Sequence, residues 1–257
     1  MVRGVLRGAG GQVKGRVMAI LLEVCVDSPE GLIAAAKGGA DRVELCSALA
    51  LGGLTPTTTM MASAGVEEIP AVVMIRPRPG DFVWTADEVQ HMRAEIDEAM
   101  EMGMDGIVIG ANRPDGRLDS KVLKTLLRQC DPDAQKVLHR CIDLTPDPVE
   151  AVEIAIALGF DRILTSGGAL RAVDGVGKLR GMLDRARGRI EIMPGSGITA
   201  DNVAGLLALL PVGQVHASCS TARTQDARAV ALGFTGPQRR ETDLAEVRRL
   251  RDALDRL

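Results

Sequence analysis

A short motif recurs three times along the chain and constrains its fold more than any other feature. Each copy has the pattern Gly-x-Asp followed by an apolar run, and the copies are Gly39–Leu45, Gly103–Ile109 and Gly159–Thr165. In each copy the glycine follows a helix-like segment, and the apolar run is typical of a buried strand. The aspartates lie 64 and 56 positions apart, which is about the length of two strand–helix units. The repeat therefore predicts alternating strands and helices.

Five further segments complete a set of eight candidate strands, and they are Ile20–Val26, Ala71–Ile75, Lys136–Leu138, Arg189–Met193 and Gln214–Ala217. Capped or amphipathic helical segments alternate with the strands, and they are Ser28–Gly38, Thr85–Met102, Ser120–Gln129, Asp147–Leu158, Val176–Arg187, Asp201–Leu209 and Leu244–Leu257. The segment after Pro56 has the weakest helical signal. This alternation over about 240 residues predicts a single-domain (β/α)8 TIM barrel, with an open doubly wound sheet as the alternative.

Composition limits what such a domain does. The chain has 46% hydrophobic and 25% charged residues and a net charge of −3, as in an ordinary folded domain. Only four aromatic residues and no basic stripe are present, so a nucleic-acid partner is not expected. No apolar run reaches the roughly 18 residues of a membrane helix, so no membrane partner is expected either. Five widely spaced cysteines without a secretory leader favour reduced thiols and a cytoplasmic location.

Residues 1–17 differ from the rest of the chain in their charge. They contain four basic residues, five glycines and no acidic residue. The segment lacks the apolar centre of a signal peptide, and its glycine content disfavours a helix. We therefore expect a disordered extension over residues 1–17 and a barrel domain over residues 18–257.

Polar side chains mark the first two predicted strands. Both contain the pattern Glu-x-Cys, as Glu23 and Cys25 in the first and Glu44 and Cys46 in the second. Side chains alternate between the faces of a strand, so each Glu shares a face with its Cys. A buried Glu is costly unless it is paired, and its occurrence twice indicates a site at the barrel mouth. Two thiolates suit a soft metal such as Cu(I), whereas either Cys alone is also explained as a small core residue.

The third and fifth strands end in residues typical of acid–base or anion chemistry. Arg76 follows the third strand, where it is placed to neutralise Glu23 or Glu44 or to hold an anionic ligand. The fifth strand continues into the run His139–Asp143, whose first and last side chains share a face if the strand persists. This pair is a candidate for proton transfer or metal binding, with a structural histidine as the alternative.

Glycine-rich turns after the sixth and seventh strands predict an anion site, since such turns expose N–H groups, although tight turns also need glycine for other reasons. The candidate ligand-binding residues are Ser166, Gly167, Gly168, Gly195, Ser196 and Gly197, together with Arg140 and with His216 and Ser218 of the eighth strand. Cys219 follows, and its parity directs it away from the site unless the strand has already ended.

Nine short motifs follow one another in the order Leu22–Ser28, Gly38–Ser47, Leu51–Pro56, Met74–Arg78, Gly80–Phe82, Thr145–Pro148, Leu164–Gly168, Ile192–Gly195 and His216–Ser218. Together they resemble the CutC family, from about Leu21 to Ser220. The resemblance implies a cytoplasmic TIM-barrel protein linked to copper homeostasis and often homo-oligomeric. It also implies Cu(I) binding at the cysteines that match Cys25 and Cys46. The run His139–Asp143 departs from the family pattern and adds a thiol to that wall.

Two functions remain open from the sequence. In the first, the chain binds Cu(I) through Cys25 and Cys46, joined by Cys219 as a third thiol. In the second, a barrel enzyme acts on a small anionic metabolite, phosphorylated or not, and its candidate catalytic residues are Glu23, Glu44, Arg76, His139 and Asp143. A scaffold without a ligand is disfavoured, because inward-facing polar groups without partners cost stability.

Overall fold

Eight parallel strands form a sheet that curls into a nearly closed barrel. In the computed structural model, which describes residues 19–257, they are β1 (Leu21–Val26), β2 (Arg42–Leu45), β3 (Ala71–Met74), β4 (Gly106–Ile109), β5 (Gln135–Leu138), β6 (Arg162–Thr165), β7 (Glu191–Pro194) and β8 (Gln214–Ala217). Neighbours in the chain are neighbours in the sheet from β1 to β7, and β8 pairs with β1. Within residues 19–257, β7 and β8 lie side by side without a hydrogen-bonded ladder. This order confirms the TIM barrel and excludes the doubly wound sheet, whose strand order reverses.

Helices cover the outside of the barrel. They are α1 (Pro29–Gly38), α2 (Thr58–Val66), α3 (Ala86–Glu101), α4 (Ser120–Leu127), α5 (Pro148–Leu158), α6 (Val176–Ala186), α7 (Val203–Leu209), α8 (Ala227–Ala231) and α9 (Leu244–Asp255). Ser28 caps α1 by accepting a hydrogen bond from Gly31, and Thr85 forms a capping box with Glu88 at the start of α3. α2 forms where the sequence signal was weakest, with Thr57 as its N-cap.

The Gly-x-Asp repeat has the same structural role in all three copies. The glycines take the left-handed conformation just after α1, α3 and α5, and they are Gly39, Gly103 and Gly159. Each aspartate then makes two hydrogen bonds to one residue at the start of the preceding odd-numbered strand. Its carboxylate accepts from that residue's N–H at 2.7–2.8 Å, and its own N–H donates to that residue's carbonyl. The motif thus ends a helix and ties two neighbouring strands together.

Strand alternation separates two apolar cores. The larger core lies between the sheet and the helices, and its strand residues include Leu22, Val24, Val43, Leu45, Ile107 and Ile163. The smaller core fills the barrel and consists of Cys46, Val72, Met74, Val108, Val137, Leu164 and Met193. Glu23 and Glu44 have the opposite parity to the outward-facing residues of β1 and β2, and both are buried.

A layer of charged side chains lies near the amino ends of the strands, at the end of the barrel opposite its mouth. Arg42 donates to Glu23 at 2.5 Å and to Gln214 at 2.9 Å. Arg162 donates to Gln135 at 2.8 Å and lies 3.8 Å from Glu23. Both arginines directly follow the aspartate of a repeat copy, so the motif that joins the strands also supplies this layer.

An antiparallel hairpin that the sequence analysis did not predict follows β8. Its strands are β9 (Ser220–Thr224) and β10 (Gln238–Thr242), with α8 between them, and we call residues 220–242 the arm. Most of the arm is exposed to solvent. Thr242 at the end of β10 donates to the carbonyl of Cys25 at 3.4 Å, which fixes the base of the arm at the barrel mouth.

The expected extension at residues 1–17 lies outside the described residues. Residues 19–257 form a single domain built on the one barrel. No helix in this range is long and apolar enough to cross a membrane.

Candidate functional site

A cavity of about 970 Å³ opens at the carboxyl ends of the strands. Its floor includes strand residues of β1, β2 and β8, its wall includes Arg76, Phe82 and His139, and residues of the arm also line it. The carboxyl ends of the strands carry the active sites of TIM barrels. The volume lies in the range that holds a small organic molecule.

Three potential ligand atoms converge on the cavity floor. Cys25 Sγ, a carboxylate oxygen of Glu44 and a ring nitrogen of His216 all lie within 4.8 Å of one another, and all three residues are buried. We call Cys25, Glu44 and His216 the floor triad. The strand register produces it, because Cys25 lies opposite Glu44 and Glu23 lies opposite His216. His216 Nδ1 is 2.8 Å from Glu23 Oε1, and its Nε2 is 3.6 Å from Glu44 Oε2.

Burial and proximity shift the protonation of the floor triad. Burial raises the pKa of Glu44 to about 7, against the opposing effect of His216. Burial alone would lower the pKa of His216, but the neighbouring Cys25, Glu44 and Glu23 hold it well above its ordinary value. The floor therefore holds a cationic imidazole among acidic groups.

Arg42, rather than Arg76, neutralises Glu23, and this corrects one expectation. Burial alone would raise the pKa of Glu23, but Arg42, His216 and Arg162 together lower it well below its ordinary value. Arg76 forms no salt bridge with either barrel glutamate in residues 19–257. The parity of β2 contained the missed signal, since Arg42 lies two positions before the inward-facing Glu44.

Cys46 occupies the next inward-facing position after Glu44, two residues further toward the barrel mouth. The register places Cys25 opposite Glu44, and its continuation places Cys46 opposite Asp27, so the two cysteines are diagonal rather than facing. Cys46 is only 1% exposed and packs into the interior core. Burial, with the added charge of Glu44, raises the pKa of its thiol well above the ordinary value.

Cys219 lines the same cavity as Cys25, because β8 ends at Ala217 and strand parity no longer applies. Its backbone has φ 45°, in the left-handed region. Burial raises the pKa of Cys219 to about 12, and Cys25 adds to the effect. Ser218 also lines the cavity, with its hydroxyl 2.9 Å from that of Ser220.

Arg76 forms one side of the cavity wall. Its terminal nitrogens donate to three backbone carbonyls, those of Leu51, Gly53 and Gly80. Its Nε is buried and, among residues 19–257, has no hydrogen-bond partner. The guanidinium lies 5.0 Å from the centre of the Phe82 ring, within the range of a cation–π contact.

His139 continues the wall beyond Phe82, whose ring centre is 4.6 Å from its own. His139 fills the space left by Gly110, where a Cβ would lie 2.1 Å from the imidazole. Its Nδ1 accepts a hydrogen bond from the Cys141 N–H at 3.1 Å, and burial with Arg76 lowers its pKa to about 3. The ring is therefore neutral with its proton on Nε2, and this buried Nε2 has no partner in the described chain.

The strand parity that was expected to align Asp143 with His139 does not apply. After β5 the chain forms a 3-10 helix, Arg140–Leu144, so strand alternation ends at Leu138. The Asp143 carboxylate instead accepts hydrogen bonds from Arg140, from the hydroxyls of Thr165 and Ser166, and from the N–H groups of Ser166 and Gly168. Gly167 N–H is also used, by the Thr165 hydroxyl. The protein's own carboxylate thus occupies the place where we expected an anionic ligand at this turn.

The turn after β7 keeps unused donors. Gly195 N–H donates to Thr165, but the N–H groups of Ser196 and Gly197 have no acceptor within residues 19–257. Both residues take positive φ values, 79° and 72°, and both line the cavity. Of the two predicted anion-binding turns, this one retains N–H groups beside the cavity.

Comparison with known proteins gives the family. The CutC family model matches residues 20–221, which include the floor triad and the wall. A protein of Sinorhizobium medicae, named family protein CutC, is 52% identical over 239 residues, which cover 93% of this chain and 97% of the relative. The chain belongs to the CutC family. The family resemblance inferred from the nine motifs is thereby confirmed.

Other CutC proteins extend the comparison to animals and to solved structures. The human copper homeostasis protein cutC homolog is 38% identical over 247 residues, covering 92% of this chain and 89% of its own length. The crystal structure of CutC from Streptococcus agalactiae superposes with a TM-score of 0.73 at 32% identity. It covers 77% of this chain and 98% of its own. The barrel is thus shared with a solved CutC structure.

Proposed function

We propose that this CutC protein acts in copper homeostasis by binding Cu(I) at the floor of the cavity. The observation that carries the proposal is the floor triad, in which a thiol, an imidazole and a carboxylate lie within 4.8 Å of one another in a buried place. The names of the human and mouse relatives, which refer to copper homeostasis, agree with this assignment.

The chemistry of these groups favours Cys25 and His216 as the ligands. Cu(I) is a soft ion that prefers thiolate and accepts imidazole, whereas the hard carboxylate of Glu44 is a poor ligand for it. Glu23 bonds to His216 Nδ1, so a metal that displaces the Nε2 proton binds at Nε2, an arrangement that orients metal-binding histidines in other proteins.

The paired-cysteine hypothesis needs Cys46 as a second thiolate. The stagger between β1 and β2 makes Cys46 a more distant partner for Cys25 than Glu44 is, so we assign it a supporting role. Cys219 shares the cavity with Cys25 and is the third thiol of the proposed site. All five cysteines are free, which suits the reducing cytosol in which we place the protein. We also propose that the chain forms a homo-oligomer, as the family resemblance implies.

The test is an anaerobic competition titration in which reduced protein withdraws Cu(I) from a chromogenic chelator. We expect the wild type to withdraw about one copper per chain, because a thiolate and an imidazole are enough for a two-coordinate ion. Cys25→Ser abolishes this withdrawal, and Cys46→Ser weakens it less. Cys130→Ser is the matched control, since Cys130 is also a buried free thiol but lies against Met100, away from the cavity.

Two results contradict the copper assignment. In the first, the chelator retains all its copper against the wild type. In the second, Cys25→Ser and Cys130→Ser withdraw copper equally well. A parallel titration with Zn(II) completes the test, because a mixed set of S, N and O ligands also suits zinc. Binding of Zn(II) with no binding of Cu(I) overturns the proposal.

A further inference from the structure

The copper proposal leaves the wall of the cavity without a role. Arg76 is 5% exposed, yet no carboxylate in residues 19–257 forms a salt bridge with it, and its Nε has no partner. The three carbonyls that accept its other hydrogen bonds are neutral. Taking a charge out of water without a counter-ion is strongly unfavourable.

His139 presents a second unused donor on the same wall. It is 3% exposed, and its Nδ1 is already bonded to the Cys141 N–H, which leaves the Nε2–H group without a partner in the described chain. A buried N–H without an acceptor loses its hydrogen bond to water and gains none in return, which is unfavourable. Arg76 and His139, which we call the wall pair, are held against the same Phe82 ring. Both residues line one cavity, and each has a buried donor without a partner in the described chain.

We infer that the wall pair binds the anionic group of a small organic ligand. An anionic oxygen there supplies Arg76 with the counter-ion it lacks and His139 with the acceptor it lacks. The cavity of about 970 Å³ is far larger than a single metal ion requires, and it is in the range of pockets that hold metabolites.

The remainder of the cavity indicates what else this ligand carries. Glu44 Oε1 on the floor is buried and has no hydrogen-bond donor among residues 19–257, so a hydroxyl or amine hydrogen of the ligand fits there. The unused N–H groups of Ser196 and Gly197 and the arginines of the arm add positive potential above the floor. Together these groups fit a hydroxylated small carboxylate or phosphate monoester.

The anion contact does not depend on copper, since the wall pair contains no residue of the floor triad, and only the proposed hydroxyl contact at Glu44 lies within that triad. The test therefore uses reduced, metal-free protein. The probes are inorganic phosphate, glycerol 3-phosphate and lactate, which separate a phosphate group from a carboxylate. The chain has three histidines, so ring-nitrogen NMR spectra resolve each imidazole. We expect one or more probes to shift the His139 Nε2 resonance, while the resonance of the exposed His91 stays in place.

The variant His139→Asn sharpens the test. Asparagine keeps an oxygen acceptor for the Cys141 N–H but removes the Nε2 donor, so we expect the fold to survive. Calorimetric affinity for the responding probe falls at least about tenfold, as for a lost hydrogen bond to a charged group. His91→Asn is the matched control and leaves the affinity unchanged.

The outcomes separate cleanly. A response to phosphate and glycerol 3-phosphate alone assigns a phosphate ligand, and a response to lactate alone assigns a carboxylate ligand. If none of the three probes moves the His139 resonance at millimolar concentration, the wall pair is not an anion site. The inference is equally overturned if His139→Asn, shown to be folded by its spectrum, binds the responding probe as tightly as the wild type.

Discussion

The carboxylate of Glu23 is fully buried and joins the two halves of the barrel interior. It bonds to Arg42 below and to His216 above, so its charge supports both the lower layer and the floor triad. Glu23→Gln keeps the shape but removes the charge, which leaves Arg42 and Arg162 without their carboxylate. We expect the free energy of unfolding to fall by about 3–5 kcal/mol, as when one partner of a buried ion pair is removed. Denaturant titration followed by circular dichroism measures this loss.

A surface carboxylate provides the control for this prediction. Glu153 also forms an ion pair with an arginine, Arg189, but both side chains are over 40% exposed. Exposed pairs are screened by water, so Glu153→Gln is expected to leave the denaturation midpoint almost unchanged. Equal effects of the two substitutions would show that burial of Glu23 adds nothing to its contribution.

The sequence of a single strand was enough to predict which of its side chains face the barrel interior. The Glu-x-Cys pattern correctly indicated that Glu23 and Glu44 are buried inside the barrel. Register, however, is a relation between two strands, and neither strand's sequence states it. The two-residue stagger of β1 and β2 therefore puts Glu44, not Cys46, beside Cys25. The same limit applies to Asp143, because parity holds only while the strand continues, and β5 ends before His139.

The aspartates of the Gly-x-Asp repeat connect neighbouring strands of the barrel. Asp105 bonds to Ala71 through both its carboxylate and its N–H, which joins the start of β3 to the start of β4. Asp105→Ala leaves the buried Ala71 N–H without an acceptor and is expected to cost about 1–3 kcal/mol of stability. Asp105→Asn retains an oxygen acceptor and should lose much less. Denaturant midpoints of the two variants test this order, with exposed Asp133→Ala as control, and equal losses would contradict it.

Elements were predictable where they bury an apolar face. All eight barrel strands and most helices carry such a pattern, and Ser28 and Thr85 mark two helix starts by their capping chemistry. The arm has no comparable signal. Its strand β9, Ser220–Thr224, and its strand β10 are mostly exposed, so neither face needs to be apolar. Their pairing depends on the backbone ladder between them, which composition and periodicity do not reveal.

At the scale of the molecule, the two ends of the described chain close the barrel together. β1 is hydrogen-bonded on both sides, to β2 and to β8, whereas β7 and β8 are joined by no ladder within residues 19–257. Arg251 of α9 donates to the Ile20 carbonyl and to Asp41, so the last helix holds the first strand in place. We therefore expect the contact between β7 and β8 and the exposed arm to open more readily than β1 does.

This arrangement predicts the order in which backbone amides exchange with deuterated water. Peptides from the arm should exchange first, those from β7 and β8 next, and those from β1 and β2 last, because exchange follows local opening. Mass spectrometry of peptic fragments gives this order directly, and β3, which is paired on both sides, serves as the internal reference. Arm peptides that exchange as slowly as those of β1 would show that the arm opens together with the barrel and not independently of it.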